Sequence, residues 1–384
     1  MAEAGGPLGR ASHGVRADVG PGRSPLHVAS ARGDVAAVRV LLEAPGTDAG
    51  VSDAGGDTPL ISASRGGHVD VVRALLSAPG VDVNGATARG WTALWFAASR
   101  GHDGVVRALM EVPGIDTEVV GGDHETALWR ASRFGHADVV RSLLASVPAG
   151  VNRADKDGCT PLLVAARFGH TAAVEALLAT PGIDVNRPDP RGCTPLKCAC
   201  DNGHLAVVAA LARAPGVRAN DADGGGWTPL HSAHGGCDAR VVHALLLAGP
   251  GRDVDVDVDV DVNRANADGW TPLHSASSRG QVGAVEALLA APGIRVAARD
   301  CRGRTPLDLA RCTTVVDVLE AAAVRWIAGP LLLALVRAGV PRSEAGELAI
   351  LGLGNARLQS RARSMRHARV DILSSRIPMS TTLL

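Results

Sequence analysis

The sequence predicts an all-α solenoid of stacked helix-turn-helix units with hairpin tips, followed by a short helical and basic C-terminal segment. Three observations carry this expectation. Thr-Pro-Leu or a near variant begins at Ser24, Thr58, Thr92, Thr126, Thr160, Thr194, Thr228, Thr271 and Thr305, every 34 residues except for one interval of 43. A fixed period of this size marks a repeat architecture rather than a single large core. Only 2% of the 384 residues are aromatic, whereas 46 are Gly and 22 are Pro, so the core is aliphatic and interrupted by turns. Each unit also carries two short apolar stripes at helical spacing.

The unit starting at Thr58 shows why. Thr58 is a cap residue, Pro59 brings the fixed φ suited to the first helical position, and Leu60, Ala63 and Ser64 continue a helix that stops at Gly67. Val71, Val72, Leu75 and Leu76 then fall on one face of a second helix, which ends before Pro79-Gly80. An extended Val81-Asp82-Val83-Asn84 and a turn at Gly90 lead to the next Thr. Helices this short are unstable alone in water and must stack on their neighbours. The long interval contains the alternating run from Asp253 to Val262, which reads as a small acidic insertion.

A period near 34 is shared by two helical repeats. Thr-Pro-Leu-His at Thr228 and Thr271, the Gly-His pairs ending at His68, His102, His136, His170 and His204, the closing Leu-Leu pairs and the Asp-Val-Asn before each turn resemble the ankyrin repeat. The Trp, Leu-Gly and Tyr positions of the tetratricopeptide pattern are absent. The resemblance covers Ser24 to Glu320 as nine units. It implies a non-catalytic protein-protein interaction module, with histidines that hydrogen-bond structurally. Departures are few. Thr92 and Thr126 are followed by Ala; His124 replaces a hairpin Gly, and Cys237 replaces the Gly between two helices, so both turns are expected to be irregular. The ninth unit is short between its helices, as a terminal cap would be. The expected organisation is a flexible segment 1–23, the repeats over 24–320, and a helical cap with a basic tail over 321–384.

Composition excludes other classes. The charges balance at 39 basic and 39 acidic residues, giving no global attraction to nucleic acid or lipid. Lys156 and Lys197 are the only lysines and neither follows Gly, so no GxxxxGK[ST] phosphate loop exists. Seven cysteines in a chain of this length do not form a disulfide framework. Met1 to Gly20 lacks the apolar stretch of a secretory signal, and the most apolar segment, Trp326 to Val336, is too short to span a bilayer. An intracellular, cytoplasmic location is expected, with the nucleus also open. No catalytic set, cofactor site or metal site emerges. The histidines one repeat apart cannot share a zinc ion, because stacked helices stand ~8–10 Å apart. Cys198 and Cys200 do not face one another on a helix. The aspartates of the insertion do not converge on one ion without a turn.

By the resemblance, partners bind at the hairpin tips and on the exposed side of each first helix, a concave surface. The tip residues are Arg23, Asp57, Trp91, Glu125, Cys159, Cys193, Trp227, Trp270 and Arg304. First-helix positions expected to join them are Trp95, Phe96, Arg100, Trp129, Arg130, Arg133, Phe134, Arg167 and Phe168. Aromatics and arginines dominate binding hot spots, which makes units three to five the expected central patch. The partner is an unidentified protein, with no small-molecule substrate, and the role is that of adaptor, scaffold or inhibitor. In the alternative, the repeats recognise a substrate while the C-terminal segment recruits a ubiquitin ligase, nucleic acid or a membrane surface. Arginines at helix ends are also favoured by the helix dipole alone, at ~0.3–1 kcal/mol each, and Arg39, Arg73, Arg107 and Arg141 on second helices read as a solvated face.

Overall fold

A computed structural model describes residues 22–146, 150–232, 238–247 and 260–323. Among them the chain is helical, with one isolated bridge between Ala86 and Thr92. Residues 1–21, most of the Asp-Val run, Cys237 and the chain beyond Ala323 lie outside the described residues.

The described chain divides into two compact units. The first contains α1 (Pro25–Arg32), α2 (Val35–Glu43), α3 (Pro59–Gly66), α4 (Val69–Leu76), α5 (Ala93–Arg100), α6 (Asp103–Met110), α7 (Ala127–Phe134) and α8 (Ala137–Ser146). Within it the first helix of each repeat packs on the next first helix, α1 on α3 on α5 on α7, and each second helix on the next second helix. The second unit holds α9 (Pro161–Phe168), α10 (Thr171–Leu178), α11 (Pro195–Asp201), α12 (Leu205–Ala212), α13 (Asp238–Leu247), α14 (Pro272–Arg279), α15 (Val282–Leu289), α16 (Pro306–Leu309) and α17 (Thr313–Ala323). It stacks α10, α12, α13, α15 and α17 in series. The first helix of repeat seven is a four-residue 3-10 turn, Pro229–Ser232, seated between α11 and α14.

Local chemistry explains the elements. Oγ1 of Thr58, Thr92, Thr126 and Thr194 accepts the backbone N–H three residues on, at 3.1–3.3 Å, which caps one of the free helix donors. Ala at the position after Thr92 and Thr126 preserves this cap. Helix ends fall on left-handed glycines such as Gly67, φ 76°. Gly67 is required twice over, because a Cβ there would stand 2.7 Å from the ring of His102 in the next repeat. That ring and its equivalents tie the stack. Nε2–H of His68, His102 and His136 donates to the carbonyls of Ala31, Arg65 and Ser99, each at 3.2 Å. Small residues on the first helices (Ala63, Ala97, Ala98, Ala131) and aliphatic pairs on the second (Val71 with Val72, Val105 with Val106) are fully buried. They give each hairpin a flat apolar side, which the neighbouring hairpin covers.

At the other end of each hairpin, asparagines bridge loops. Asn84 Nδ2–H donates to Gly114 O and its Oδ1 accepts from Asp116 N–H, both at 2.8 Å. Asn186 and Asn263 repeat the pattern in the second unit. Asn220 Oδ1 accepts from Asp261 N–H at 2.8 Å, so the long repeat returns to register at Asp261 and its extra residues lie between α13 and that point. His124 keeps its turn by taking φ 59° itself. Other hairpins carry a side-chain acceptor three residues earlier that takes backbone N–H groups, as Asp53 does from Gly55 and Asp57, Thr87 from Trp91, and Asn266 from Asp268 and Trp270. Gly121 stands there in the fourth repeat and has no such group, yet the turn expected to be irregular is closed by the usual backbone bond, His124 N–H to Gly121 O at 2.8 Å. The ninth repeat is short between α16 and α17, and α17 runs three residues past Glu320.

Candidate interaction surface

The first unit gathers an aromatic and guanidinium cluster from two fingertips and three first helices. Trp91, at the tip before α5, stacks on Trp95 with centroids 4.8 Å apart and planes 10° from parallel. Phe96 meets both edge-on, at 5.8 and 5.1 Å. Guanidinium groups cover the remaining faces: Arg65 lies 4.2 Å over Phe96, Arg89 5.2 Å over Trp91, and Arg130 4.4 Å over Trp95 and 4.8 Å from Phe134. Arg133 lies 5.7 Å over Trp129. Each such contact is worth about 0.5–2 kcal/mol, so the cluster is rigid by its own cohesion.

Ion pairs fix the arginines from behind. Arg65 binds Asp57 bidentately, at 2.8 and 2.9 Å, and Arg23 reaches the same carboxylate at 3.1 Å. Arg130 meets Glu125 at 3.2 Å. Burial pushes the Glu125 carboxyl up and the Arg130 guanidinium down from their ordinary values, each pulled back by the opposite charge of its partner. Gly121 makes room for the flat lie of Trp91, since a Cβ on Gly121 would sit 2.3 Å from Trp91 Cδ1.

Two expected contact residues are corrected. Trp95 and Trp129 are only 5% and 4% exposed. They occupy the third helical position, whose side chain points into the joint between repeats. Histidine fills it in repeats one, seven and eight: His27 Nε2 meets Asp57 O at 2.9 Å, and His231 and His274 do the same at Trp270 and Arg304. Trp129 imitates them, its Nε1–H donating to Cys159 O at 2.9 Å. Trp95 does not; its Nε1–H has no hydrogen-bond partner, as is also true of Arg130 Nε–H. Both tryptophans therefore support the cluster from beneath. Trp91, Phe96, Arg130 and Arg133 are half-buried, and Arg100 and Phe134 are exposed, Phe134 at 45%. Sequence reasoning missed Arg89, whose place over Trp91 depends on the fold of the finger loop.

The second unit has its own features. Trp227 and Trp270, both half-buried, meet edge-on at 6.3 Å, with Arg279 5.6 Å over Trp227. Arg167 pairs with Asp189 at 3.0 Å, and Phe168 is 42% exposed. Lys197 occupies the joint position in repeat six, and its side chain is 5% exposed. Its Nζ–H groups donate to Asp201 at 3.0 and 3.1 Å and to Ser232 Oγ at 3.2 Å, and it pairs with Asp223 at 3.1 Å. Despite desolvation its ammonium is held above the ordinary lysine range by the two carboxylates.

Among the described residues no group of His, Cys, Asp or Glu is placed to hold a metal ion, and no helix is long and apolar enough to cross a membrane. Cys198 and Cys200 are free and buried, and burial pushes the Cys198 thiol up to about 12, far from nucleophilic readiness. Arg107 pairs within its own helix with Asp103 at 2.5 Å, and Arg141 with Asp138 at 2.6 Å; with Arg39 and Arg73 they form an exposed row, as expected of a solvated face.

A family model for ankyrin repeats matches overlapping segments from residue 10 to 322. The human ASB11 ankyrin repeat domain is similar in structure, with TM-score 0.52 and 28% identity, over 60% of this chain and all of that one. So is the ankyrin repeat domain of Bcl-3, a member of the IkappaB family, with TM-score 0.51 and 29% identity, over 59% of this chain and 99% of that one. No curated protein sequence matches the chain.

Proposed function

Since the chain belongs to the ankyrin repeat family, whose members are generally non-catalytic protein-protein interaction modules, we propose that it acts as an adaptor, scaffold or inhibitor that binds a protein through the fingertips and first helices of its first unit. The cluster around Trp91 is the observation that carries this reading. Aromatic and arginine side chains are the usual anchors of protein interfaces. Here they are already held in place by mutual stacking and by Asp57 and Glu125, so docking freezes few side-chain rotamers. Arg100 and Phe134 supply the exposed rim.

Affinity purification from cells with the wild-type chain and with Trp91→Ala/Phe134→Ala tests it. Loss of a co-purifying protein, with the far-ultraviolet circular dichroism unchanged, is expected. An identical set of co-purifying proteins with both chains would refute the placement of the site. The rival arrangement, in which the segment 321–384 recruits a ligase, nucleic acid or a membrane, predicts instead that deleting that segment abolishes the association.

A further inference from the structure

The charges on this face are not balanced, and the imbalance points to the chemistry of the partner. Among the described residues of repeats one to four, the acids of the fingertips next to the first helices are Asp53, Asp57, Asp123 and Glu125. Each is already engaged: Asp53 and Asp57 by Arg23, Asp57 also by Arg65, Glu125 by Arg130, and Asp123 by Lys156. Arg32, Arg89 and Arg100 on the same face are exposed, and among the described residues none of them forms an ion pair. Arg89 has its guanidinium carbon 5.2 Å from the centre of the Trp91 ring, and a guanidinium packed on an aromatic ring can still donate its N–H groups to a carboxylate. Arg100 is four residues after Phe96 on α5, one helical turn along the same face. The surface thus offers two guanidinium groups that form no ion pair among the described residues, beside an aromatic cluster whose carboxylates are engaged by other cations.

We infer that the partner presents an acidic peptide segment to this face, its carboxylates meeting Arg89 and Arg100 and its neighbouring apolar side chains meeting Phe134 and the rim of the Trp91 cluster. This rests on the interaction reading above and specifies it. Carboxylates match a guanidinium edge bidentately and gain from charge. A single-stranded nucleic acid fits less well. It binds by stacking bases on open aromatic faces, and here Trp91 and Trp95 cover each other while Arg65, Arg89 and Arg130 cover the faces that remain.

Random 12-residue peptides displayed on phage and selected on the immobilised full chain test the inference, with enriched sequences synthesised and their affinities measured by fluorescence anisotropy. Selected peptides are expected to be rich in Asp and Glu beside aromatic or aliphatic residues. Their binding should weaken as salt rises and fall roughly threefold to tenfold with each of Arg89→Ala and Arg100→Ala. Peptides without acidic enrichment that lose binding with Trp91→Ala or Phe134→Ala but keep it with the arginine variants would overturn the acidic assignment and leave the interaction surface standing. Failure to select any peptide, or peptides indifferent to all four substitutions, would overturn both. Arginine-dependent binding of the oligonucleotide dT12 would overturn the assignment in favour of nucleic acid. Circular dichroism of each variant confirms that it is folded.

Discussion

Replacing Lys197 by Met removes the positive charge that pairs with both Asp201 and Asp223 and retains a similar apolar volume in the joint. Breaking a buried ion pair by deleting one partner costs about 3–5 kcal/mol. The carboxylates here are not fully buried, with side chains 31% and 18% exposed, and Asp223 keeps the backbone N–H groups of Gly225 and Trp227 at 2.9 and 3.0 Å. Solvent and these donors take up part of the loss, which places the expected destabilisation at about 2–3 kcal/mol. Urea unfolding at pH 7, followed by circular dichroism, reads it as a lower midpoint for the transition that includes α11. A double-mutant cycle with Asp223→Asn isolates the pair. Because the folded ammonium is held above the ordinary lysine value, its contribution is complete at neutral pH and fades as the solution is made alkaline through the folded pKa. The wild type should therefore lose stability at high pH more steeply than the variant. A Lys197→Met chain within 0.5 kcal/mol of wild type, or equal alkaline slopes, would refute the idea that the triad stabilises the joint.

Three further outcomes follow from the same geometry. Gly67→Ala combines a φ of 76° with a Cβ 2.7 Å from the His102 ring and should cost about 2 kcal/mol or more, whereas Gly80→Ala, at φ 81° with open space around it, should cost only the ~1–2 kcal/mol of the left-handed backbone; comparison of urea midpoints separates the two. Burial pushes the His231 imidazole down to about 4, so the folded state stays neutral where the unfolded state takes up a proton, and stability should fall as pH drops from about 6.5 towards 4, by up to ~3 kcal/mol; His231→Gln should flatten that slope in a pH series of thermal melts. Trp129→Phe leaves Cys159 O with the Asp155 N–H but without its indole donor and should destabilise by about 0.5–1.5 kcal/mol, while Trp95→Phe, which deletes an unpartnered N–H, should cost less in the same assay.

The repeat, the Thr caps and the glycine stops were legible because each depends on a few residues at fixed spacing. Thr58, Pro59 and Gly67 each act on backbone within one turn, so their effect survives whatever packs around them. Side-chain roles were less legible where they depend on register between repeats. Trp95 and Trp129 read as surface aromatics when a single helix is considered, yet they stand in the column of His27, His231 and His274, which are buried. Aligning that column across the units would have placed both tryptophans inside. Arg89 carries no such signal, because its meeting with Trp91 depends on how the finger loop returns to the helix.

That column links stability to the surface. A side chain in the third position of each first helix must fill the gap between repeats, and several chemistries do so. Histidine satisfies the cap hydroxyl and a neighbouring carbonyl together, as His274 does at 2.9 and 3.1 Å. Ile61 and Leu163 fill the gap with hydrocarbon alone. Lys197 fills it with a charge and so requires two aspartates. Trp129 extends far enough to bond the carbonyl and still offer a ring to Arg133. Trp95 forgoes the carbonyl; its ring turns to Trp91 and Arg130 instead, where two aromatic neighbours and a guanidinium offset one unmade hydrogen bond. The joint at repeat three is thus where a packing residue is diverted to hold a fingertip tryptophan rigid. That diversion ties the surface cluster to the stack beneath it, so Trp95→His should restore the standard joint and release Trp91. An increase in Trp91 side-chain mobility, read from fluorescence anisotropy decay in a chain whose other tryptophans are replaced by Phe, is the expected sign; unchanged mobility would show that Arg89 and Gly121 hold the fingertip without it.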